Sequence, residues 1–529
     1  MEASFQMIAK TLQGLEEILA GELTELGAND IEIGRRMVSF TGNKQLLYRA
    51  NFSLRTALRV LKPILTFTAK NADTVYDYVK SVQWEKYMDC SKTFAVDSVI
   101  FSEEFRHSMF VSYKVKDAIV DYFREKTGDR PNVRINKPDV LINIHIAGNQ
   151  CTLSLDSSGE SLHKRGYRQK AVEAPLSEVL AAGMILMTGW KGETDFIDPM
   201  CGSGTIPIEA ALIARNISPG VFREGFAFQK WNDYDADMFE YIYNDDSQER
   251  PFAHRIYAYD NNPNAIEIAR SNIKAAGVAK DIELRQQAIQ VFEQPQENAL
   301  MITNPPYGER ISSPDLLQLY HTIGERLKNA FQGNTAWILS CKDECFDEIG
   351  LKATKKIPLL NGELECQLRE YEIFKGTYKD FREGGERLNK DIRSEEPRKS
   401  KSKDYKPRED REREYSEDEN HLMEHHIRFQ QMERRQAMKL EKEARAKERE
   451  KEGEQKRPYR KDGFRQRGFD SYKGRGQGKD GEQRRKPKDF QDRERKPYGK
   501  PRSQESYPER KKRERREAQE KNHPSDNQN

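Results

Sequence analysis

The chain has 529 residues and a formal net charge of only +3, because 90 Lys and Arg nearly cancel 87 Asp and Glu. The longest apolar stretch, residues 179–190, is shorter than the roughly 20 residues a membrane crossing needs, and no secretory leader is visible. The 6 cysteines lack paired spacing, which fits a reducing cytoplasm, excludes a disulfide framework and leaves no metal-ligand set.

Residues 1–60 read as a small α+β unit. Leu15, Ile18, Leu19, Leu23 and Leu26 recur at helical spacing, Gly27 follows as a stop, and strands flank the helix at residues 6–10 and 31–40. A second α+β region runs from about residue 61 to 157. There Tyr76, Tyr78, Val79 and Val82 predict a helix, residues 115–123 another, and residues 140–155 alternate through Gly148-Asn149 as a hairpin. Neither region carries a constellation with catalytic spacing, so both are expected to bind rather than react. Lys164, Arg165 and Arg168 then make a basic linker suited to phosphate contact, with a solvated loop as the alternative.

A short buried strand at residues 194–198 leads into Asp198-Pro-Met-Cys-Gly-Ser-Gly-Thr205. A helix follows, with Pro207 in its first turn and Ile208, Ala211 and Leu212 on one face. Gly202 and Gly204 allow close backbone approach, and the amides at the helix start can bind a carboxylate, so Asp198, Gly202, Ser203 and Gly204 are candidate ligand contacts. The spacing matches neither the dinucleotide fingerprint nor the P-loop. Residues 218–251 form an aromatic-rich insertion, expected to pack as a cap near the pocket.

The next strand, residues 255–260, ends in Asp260, and Asn262-Pro263 opens a helix carrying Ile266, Ala269, Ile273 and Ala276. A carboxylate at the carboxyl end of that strand suits a ribose diol; the alternative, a helix-capping acid, is disfavoured because Asn262 already supplies the cap. A third strand, residues 282–286, precedes Gln287. A fourth, residues 299–303, runs into Asn304-Pro305-Pro306-Tyr307. Two prolines remove two donors and stiffen the corner, so the Asn304 side-chain oxygen and the Pro305 carbonyl are available to grip an exocyclic amine on a planar ring, with Tyr307 offering a stacking face. Taken alone, Pro-Pro serves equally as a rigid strand-to-loop turn. Residues 336–341 make a further strand, and residues 357–368 a hairpin through Leu360-Asn361-Gly362-Glu363.

This ordered set resembles the class I S-adenosylmethionine-dependent methyltransferases. With the two leading units and the Gly159-to-Arg168 and Ala174-to-Ala182 segments, it is similar to the THUMP-domain RNA methyltransferases, specifically the large-subunit (23S) ribosomal RNA guanine-N2 group. The resemblance implies a ferredoxin-like domain (1–60), a THUMP RNA-binding domain (61–157), a Rossmann-like α/β methyltransferase domain (158–380) and a tail (381–529). It implies S-adenosyl-L-methionine held by Asp198, Gly202, Ser203, Gly204, Asp260, Gln287 and Asn304, with Asn304, Pro305, Pro306 and Tyr307 at the methyl-accepting amine. Gln287 departs from the family pattern, which places an acid there for the adenine amine; its amide oxygen is still an acceptor. The implied substrate is large-subunit ribosomal RNA or its precursor. Guanine-N2 methylation of transfer RNA is the runner-up, and a non-catalytic ribosome-assembly factor keeping the fold the third reading. No metal is called for.

Some family members carry a second catalytic domain after the first, and the residues here do not read as one. Residues 381–529 hold no Val, Trp or Cys, and 46 Lys and Arg face 34 Asp and Glu, a net of +12 against −9 for the rest. Such a segment cannot bury enough apolar surface to offset its ordering entropy, so disorder is expected. From about residue 456 arginine, glycine and aromatics interleave, a composition suited to single-stranded RNA or simply to solubility.

Overall fold

The computed structural model describes residues 4–172, 175–294, 298–307 and 313–374; the charged tail, and with it the expectation of disorder, lies outside the described residues. The elements in order are β1 (Phe5–Lys10), α1 (Glu16–Glu25), β2 (Asn29–Gly34), β3 (Met37–Gly42), α2 (Lys44–Ser53), β4 (Arg59–Thr68), α3 (Ala72–Lys80), β5 (Thr93–Phe101), α4 (Ser108–Thr127), β6 (Asn132–Val133), β7 (Val140–Ala147) and β8 (Gln150–Asp156). There follow α5 (Glu178–Met187), β9 (Phe196–Asp198), α6 (Thr205–Ala214), α7 (Ala236–Asn244), β10 (Ile256–Asp260), α8 (Pro263–Ala275), β11 (Ile282–Gln286), β12 (Leu300–Thr303), α9 (Ser313–Ala330), β13 (Thr335–Ser340), α10 (Asp343–Ile349), β14 (Lys355–Asn361) and β15 (Leu364–Glu372).

The two leading units share one eight-stranded sheet, in the order β2-β3-β1-β4-β8-β7-β5-β6. β4 joins them: its first residues pair with β1, and from Leu61 onward it pairs with β8. The expected division between residues 60 and 61 therefore falls inside a single strand. Pro63, which has no N–H to give a ladder, sits where the β4–β8 register shifts, as a proline within a sheet requires. Leu15, just before the first helix, and Leu19 and Leu23 within it are fully buried, as the spacing predicts. The single strand expected at residues 31–40 is instead the β2–β3 hairpin, turning at Arg36 with φ +56°. β1 pairs along the whole of β3, which therefore lies between β1 and the edge strand β2.

The second sheet has the order β11-β10-β9-β12-β13-β15-β14, parallel throughout β11 to β13, with β15 antiparallel to β13 and β14 antiparallel to β15. β9, β12 and β13 are buried at every position, as central strands of a sheet covered on both faces must be. The chain order reverses between β9 and its neighbours β10 and β12. That switch point opens a crevice at the carboxyl ends of the strands, where the glycine turn, Asp260 and Asn304 all lie. This is the Rossmann-like methyltransferase arrangement, with the reversed last strand closed by the Gly362-Glu363 turn at φ +67° for Gly362.

The insertion at residues 218–251 has a different role from the cap expected of it. Its rings close on α2 of the N-terminal half: Phe228 stacks on Tyr48 at 4.3 Å, Tyr243 meets Phe52 at 5.7 Å, and Phe239 sits edge-on to Phe52 at 6.2 Å. The Asp235 amide donates to the Tyr48 hydroxyl at 3.0 Å, and a Cβ on Gly220 would lie 2.6 Å from the Phe52 carbonyl oxygen. The aromatic content clasps the N-terminal half to the half built on the second sheet.

Candidate active site

The glycine turn rises from β9. Gly202 and Gly204 have φ +54° and +83°, the left-handed region that favours glycine, and a Cβ on Gly204 would press to 3.3 Å from Ala269 of α8. The turn is tied to the neighbouring strand: the Cys201 amide donates to the Tyr259 carbonyl at 2.8 Å and the Gly202 amide to Asp260 Oδ2 at 2.9 Å. Asp260 Oδ1 accepts from the Asn262 amide at 2.9 Å, while the Asn262 side chain caps α8 through the Asn264 amide, as predicted. Asp260 thus lies at the end of β10, beside the glycine turn. Gln287 stands next to it, its amide donating to the Asp260 carbonyl at 2.9 Å and its Nε2 to the Val291 carbonyl at 3.0 Å, leaving the amide oxygen as its accepting end.

Asp198 is 1% exposed. Its Oδ1 accepts from the Thr303 hydroxyl at 3.0 Å and the Met200 amide at 3.2 Å, and Oδ2 has no partner among the described residues. Burial pushes its pKa up to about 7; the Met200 and Thr303 bonds oppose the rise and the nearby Asp260 charge adds to it. Because the folded value exceeds the ordinary 3.8, the folded chain holds this proton more tightly than the unfolded chain. The stability so gained is fully present below about pH 4 and lost as pH rises through about 7. Between pH 5.5 and 8, therefore, the Tm of the apo-protein is expected to fall more for wild type than for Asp198→Asn, which cannot titrate; parallel Tm profiles in a thermal melt series would refute this.

Asn304 follows β12, the strand paired with β9, so it stands beside the turn rather than across the crevice from it. Its Oδ1 is buried and unpartnered among the described residues. A buried acceptor without a donor costs free energy unless a ligand supplies one. Pro305 is buried, Pro306 exposed and Tyr307 half-buried. The Tyr307 hydroxyl accepts from Asn361 Nδ2 at 2.7 Å, and burial holds its pKa above the usual phenol range. The β14–β15 hairpin thereby fixes the ring that ends the tetrapeptide.

The basic linker is a correction. Arg165 is 1% exposed: its Nε faces Glu209 of α6 at 3.4 Å, one Nη donates to the Leu162 carbonyl at 2.9 Å, and the other reaches the Arg55 carbonyl. Arg168 also turns inward, toward Glu178, Ser203 and Thr205. Neither guanidinium is presented to an RNA phosphate; of the three, only Lys164 is exposed, 2.8 Å from Glu160. The partners Glu209, Glu178 and Arg55 were not singled out from sequence. One signal was there: Glu209 is the lone charge in the otherwise apolar run of α6, where every residue is buried, and a fully buried carboxylate calls for a cation. Among the described residues no group of three or more His, Cys, Asp or Glu is placed to hold a metal, and no helix is long and apolar enough to cross a membrane.

Comparison with known proteins agrees with this arrangement. Residues 6–61 match the RlmL ferredoxin-like domain, residues 69–156 the THUMP domain, and residues 165–370 the RMKL-like methyltransferase domain family. A protein of Synechocystis named putative RNA methyltransferase slr0064 is 38% identical, over 69% of this chain and 96% of its own length. The ribosomal RNA large subunit methyltransferase K/L of Syntrophotalea carbinolica is also 38% identical, over 70% of this chain and 54% of its own; the chain spans about half the length of such relatives. Among solved structures, SMU.472, a putative methyltransferase complexed with SAH, superposes with a TM-score of 0.65 at 31% identity, covering 71% of this chain and all of that one. A predicted N6-adenine-specific DNA methylase from Listeria monocytogenes gives 0.63 at 32% identity, covering 70% and 97%.

Proposed function

Since the chain belongs to the THUMP-bearing family with an RMKL-like methyltransferase domain, we propose that it uses S-adenosyl-L-methionine to methylate the exocyclic N2 of a guanine in large-subunit (23S) ribosomal RNA or its precursor, in the cytoplasm. The observation that carries the reading is the buried, unpartnered Asn304 Oδ1 at the carboxyl edge of the sheet, beside the Gly202–Gly204 turn. A free buried acceptor asks for an N–H donor, and an exocyclic amine has two.

The cofactor fits the residues present. Gly202, Ser203 and Gly204 and the start of α6 suit its carboxylate, Asp260 its ribose, Gln287 its adenine amine, and Asp198 lines the turn's entry. Bound there, it supplies a methyl group on a positively charged sulfur. The chain's part is orientation. The guanine amine is a poor nucleophile because its lone pair is delocalised into the ring; acceptance by Asn304 Oδ1 and the Pro305 carbonyl aligns its hydrogens and favours the pyramidal nitrogen of the transition state. The base must leave its stack to arrive, and the anchored Tyr307 ring offsets part of that cost.

RNA is held by the shared N-terminal sheet, with exposed Lys164 near the site and the basic tail beyond residue 456 as a further contact. The SAH complex of SMU.472 supports the cofactor, and the names of the K/L and slr0064 relatives support an RNA substrate. Nucleoside analysis of RNA from a strain lacking the gene tests the assignment. The expected result is loss of N2-methylguanosine from large-subunit RNA; loss from transfer RNA instead would move the substrate, and an unchanged profile would refute the reading.

A further inference from the structure

The segment that joins the binding half to the methyltransferase half lies against the glycine turn itself. Arg168 Nε donates to Glu178 Oε1 at 2.7 Å, one Nη to Ser203 Oγ at 3.0 Å, and the other to Thr205 Oγ1 at 3.0 Å and the Leu176 carbonyl at 3.1 Å. Glu178, 4% exposed, therefore aims the guanidinium, and the guanidinium holds both hydroxyls that bracket Gly204. Asn272 of α8 grips the same place from the main chain: its Nδ2 donates to the Ser203 and Lys170 carbonyls, each at 3.0 Å, and its Oδ1 accepts from the Gln169 amide at 2.9 Å. Three residues upstream, Arg165 anchors this segment to the Arg55 carbonyl of the binding half. A turn built on two glycines in the left-handed region has little intrinsic rigidity, so its shape is set by what holds it.

We propose that Arg168 is a positioning residue of the methyl-transfer site: through Ser203 and Thr205 it fixes the glycine turn and the first turn of α6 in the form that receives the donor's carboxylate. This rests on the reading of that turn as the S-adenosylmethionine cradle. Arginine suits the task because its planar fork spans a carboxylate and two hydroxyls at once, which a lysine point charge cannot. The guanidinium is engaged at all three nitrogens, so its loss falls on donor affinity and not on RNA affinity.

The test uses the full chain and compares wild type, Arg168→Gln, Thr205→Val, and the two combined. S-adenosylhomocysteine affinity is measured by calorimetry, donor KM and kcat by methyl transfer, and RNA affinity by filter binding. Arg168→Gln is expected to weaken S-adenosylhomocysteine binding and raise donor KM by roughly tenfold or more, the scale of losing hydrogen bonds to a charged group. At saturating donor, kcat stays within about threefold of wild type, and RNA affinity is unchanged. Thr205→Val leaves the Arg168–Glu178 pair and the Ser203 hydroxyl in place and keeps the proposal testable even if Arg168→Gln does not fold; it is expected to show the same split to a smaller extent, with no further loss on combination with Arg168→Gln. Weakened RNA binding with intact donor binding, or donor losses that add in full on combination, would overturn the proposal. Wild type that binds no S-adenosylhomocysteine overturns the cradle reading as well; wild type that binds it no better than Arg168→Gln overturns this proposal alone.

Discussion

Asn304→Ala is expected to lower kcat by at least about 10²–10³, the scale of deleting one preorganised hydrogen-bonding group at a reacting centre, while S-adenosylhomocysteine affinity stays within about threefold, because Asn304 is proposed to serve the acceptor amine and not the donor contact that the resemblance also implies. The two readouts separate because the residue lies beside the glycine turn, on the next strand, and makes none of the bonds that hold the turn. Stability gives a third readout. Oδ1 has no partner among the described residues, so truncation forfeits no hydrogen bond through that oxygen and removes a buried acceptor left without a donor. Tm is therefore expected to be unchanged or higher, the signature of a group kept for chemistry at a cost in stability. A variant with wild-type turnover removes Asn304 from the reaction; one with lost turnover and a sharply lower Tm makes it structural.

Arg165→Met is expected to cost about 3–5 kcal/mol of unfolding free energy, because it strands the Glu209 carboxylate, 0% exposed, without its cation. Glu209→Met should cost a similar amount from the other side. Tyr167 still donates to Glu209 Oε1 at 2.9 Å, which offsets part of the loss in the first variant but not in the second. The double variant Arg165→Met/Glu209→Met strands no charge, so it should be closer to wild type than either single change in urea unfolding. If the three variants lose stability additively, the pair is not acting as a unit. RNA affinity, with folded protein, should be insensitive to Arg165→Met, which tests directly the inward placement of this side chain.

What the sequence made legible follows from which interactions are local. The strand, glycine turn and helix around Asp198, the capped helix after Asp260, and the proline corner at Asn304 are each written in a few consecutive residues, and each lies where the spacing predicts. The β14–β15 hairpin was readable for the same reason, since Gly362 marks its turn. Long-range partners were not. Nothing within residues 31–40 announces that β1 pairs along β3, so one strand was read where there are two. The aromatics of residues 218–251 signalled packing but not against what; α2, whose Tyr48 and Phe52 receive them, is about 180–190 residues earlier. The linker arginines failed similarly. A basic run reads as a phosphate contact until Glu209, Glu178 and Ser203 are found beside it, and only the fold brings them there.

The corrected linker changes how the molecule is understood. Its arginines turn inward and join the N-terminal sheet, proposed to hold RNA, to the turn proposed to hold the donor, while the aromatic clasp on α2 fixes the two halves along a second line. The two halves are thus tied together along two lines, which suits the proposed task of presenting a single extruded base to a fixed amine pocket.

The most direct measurement is transfer of labelled methyl from S-adenosyl-L-methionine to deproteinised large-subunit RNA taken from a strain lacking the gene, followed by nucleoside analysis by mass spectrometry. The label is expected in N2-methylguanosine and to be absent with Asn304→Ala. Label on adenine N6, or no label on RNA from a chain that binds S-adenosylhomocysteine, would contradict the account.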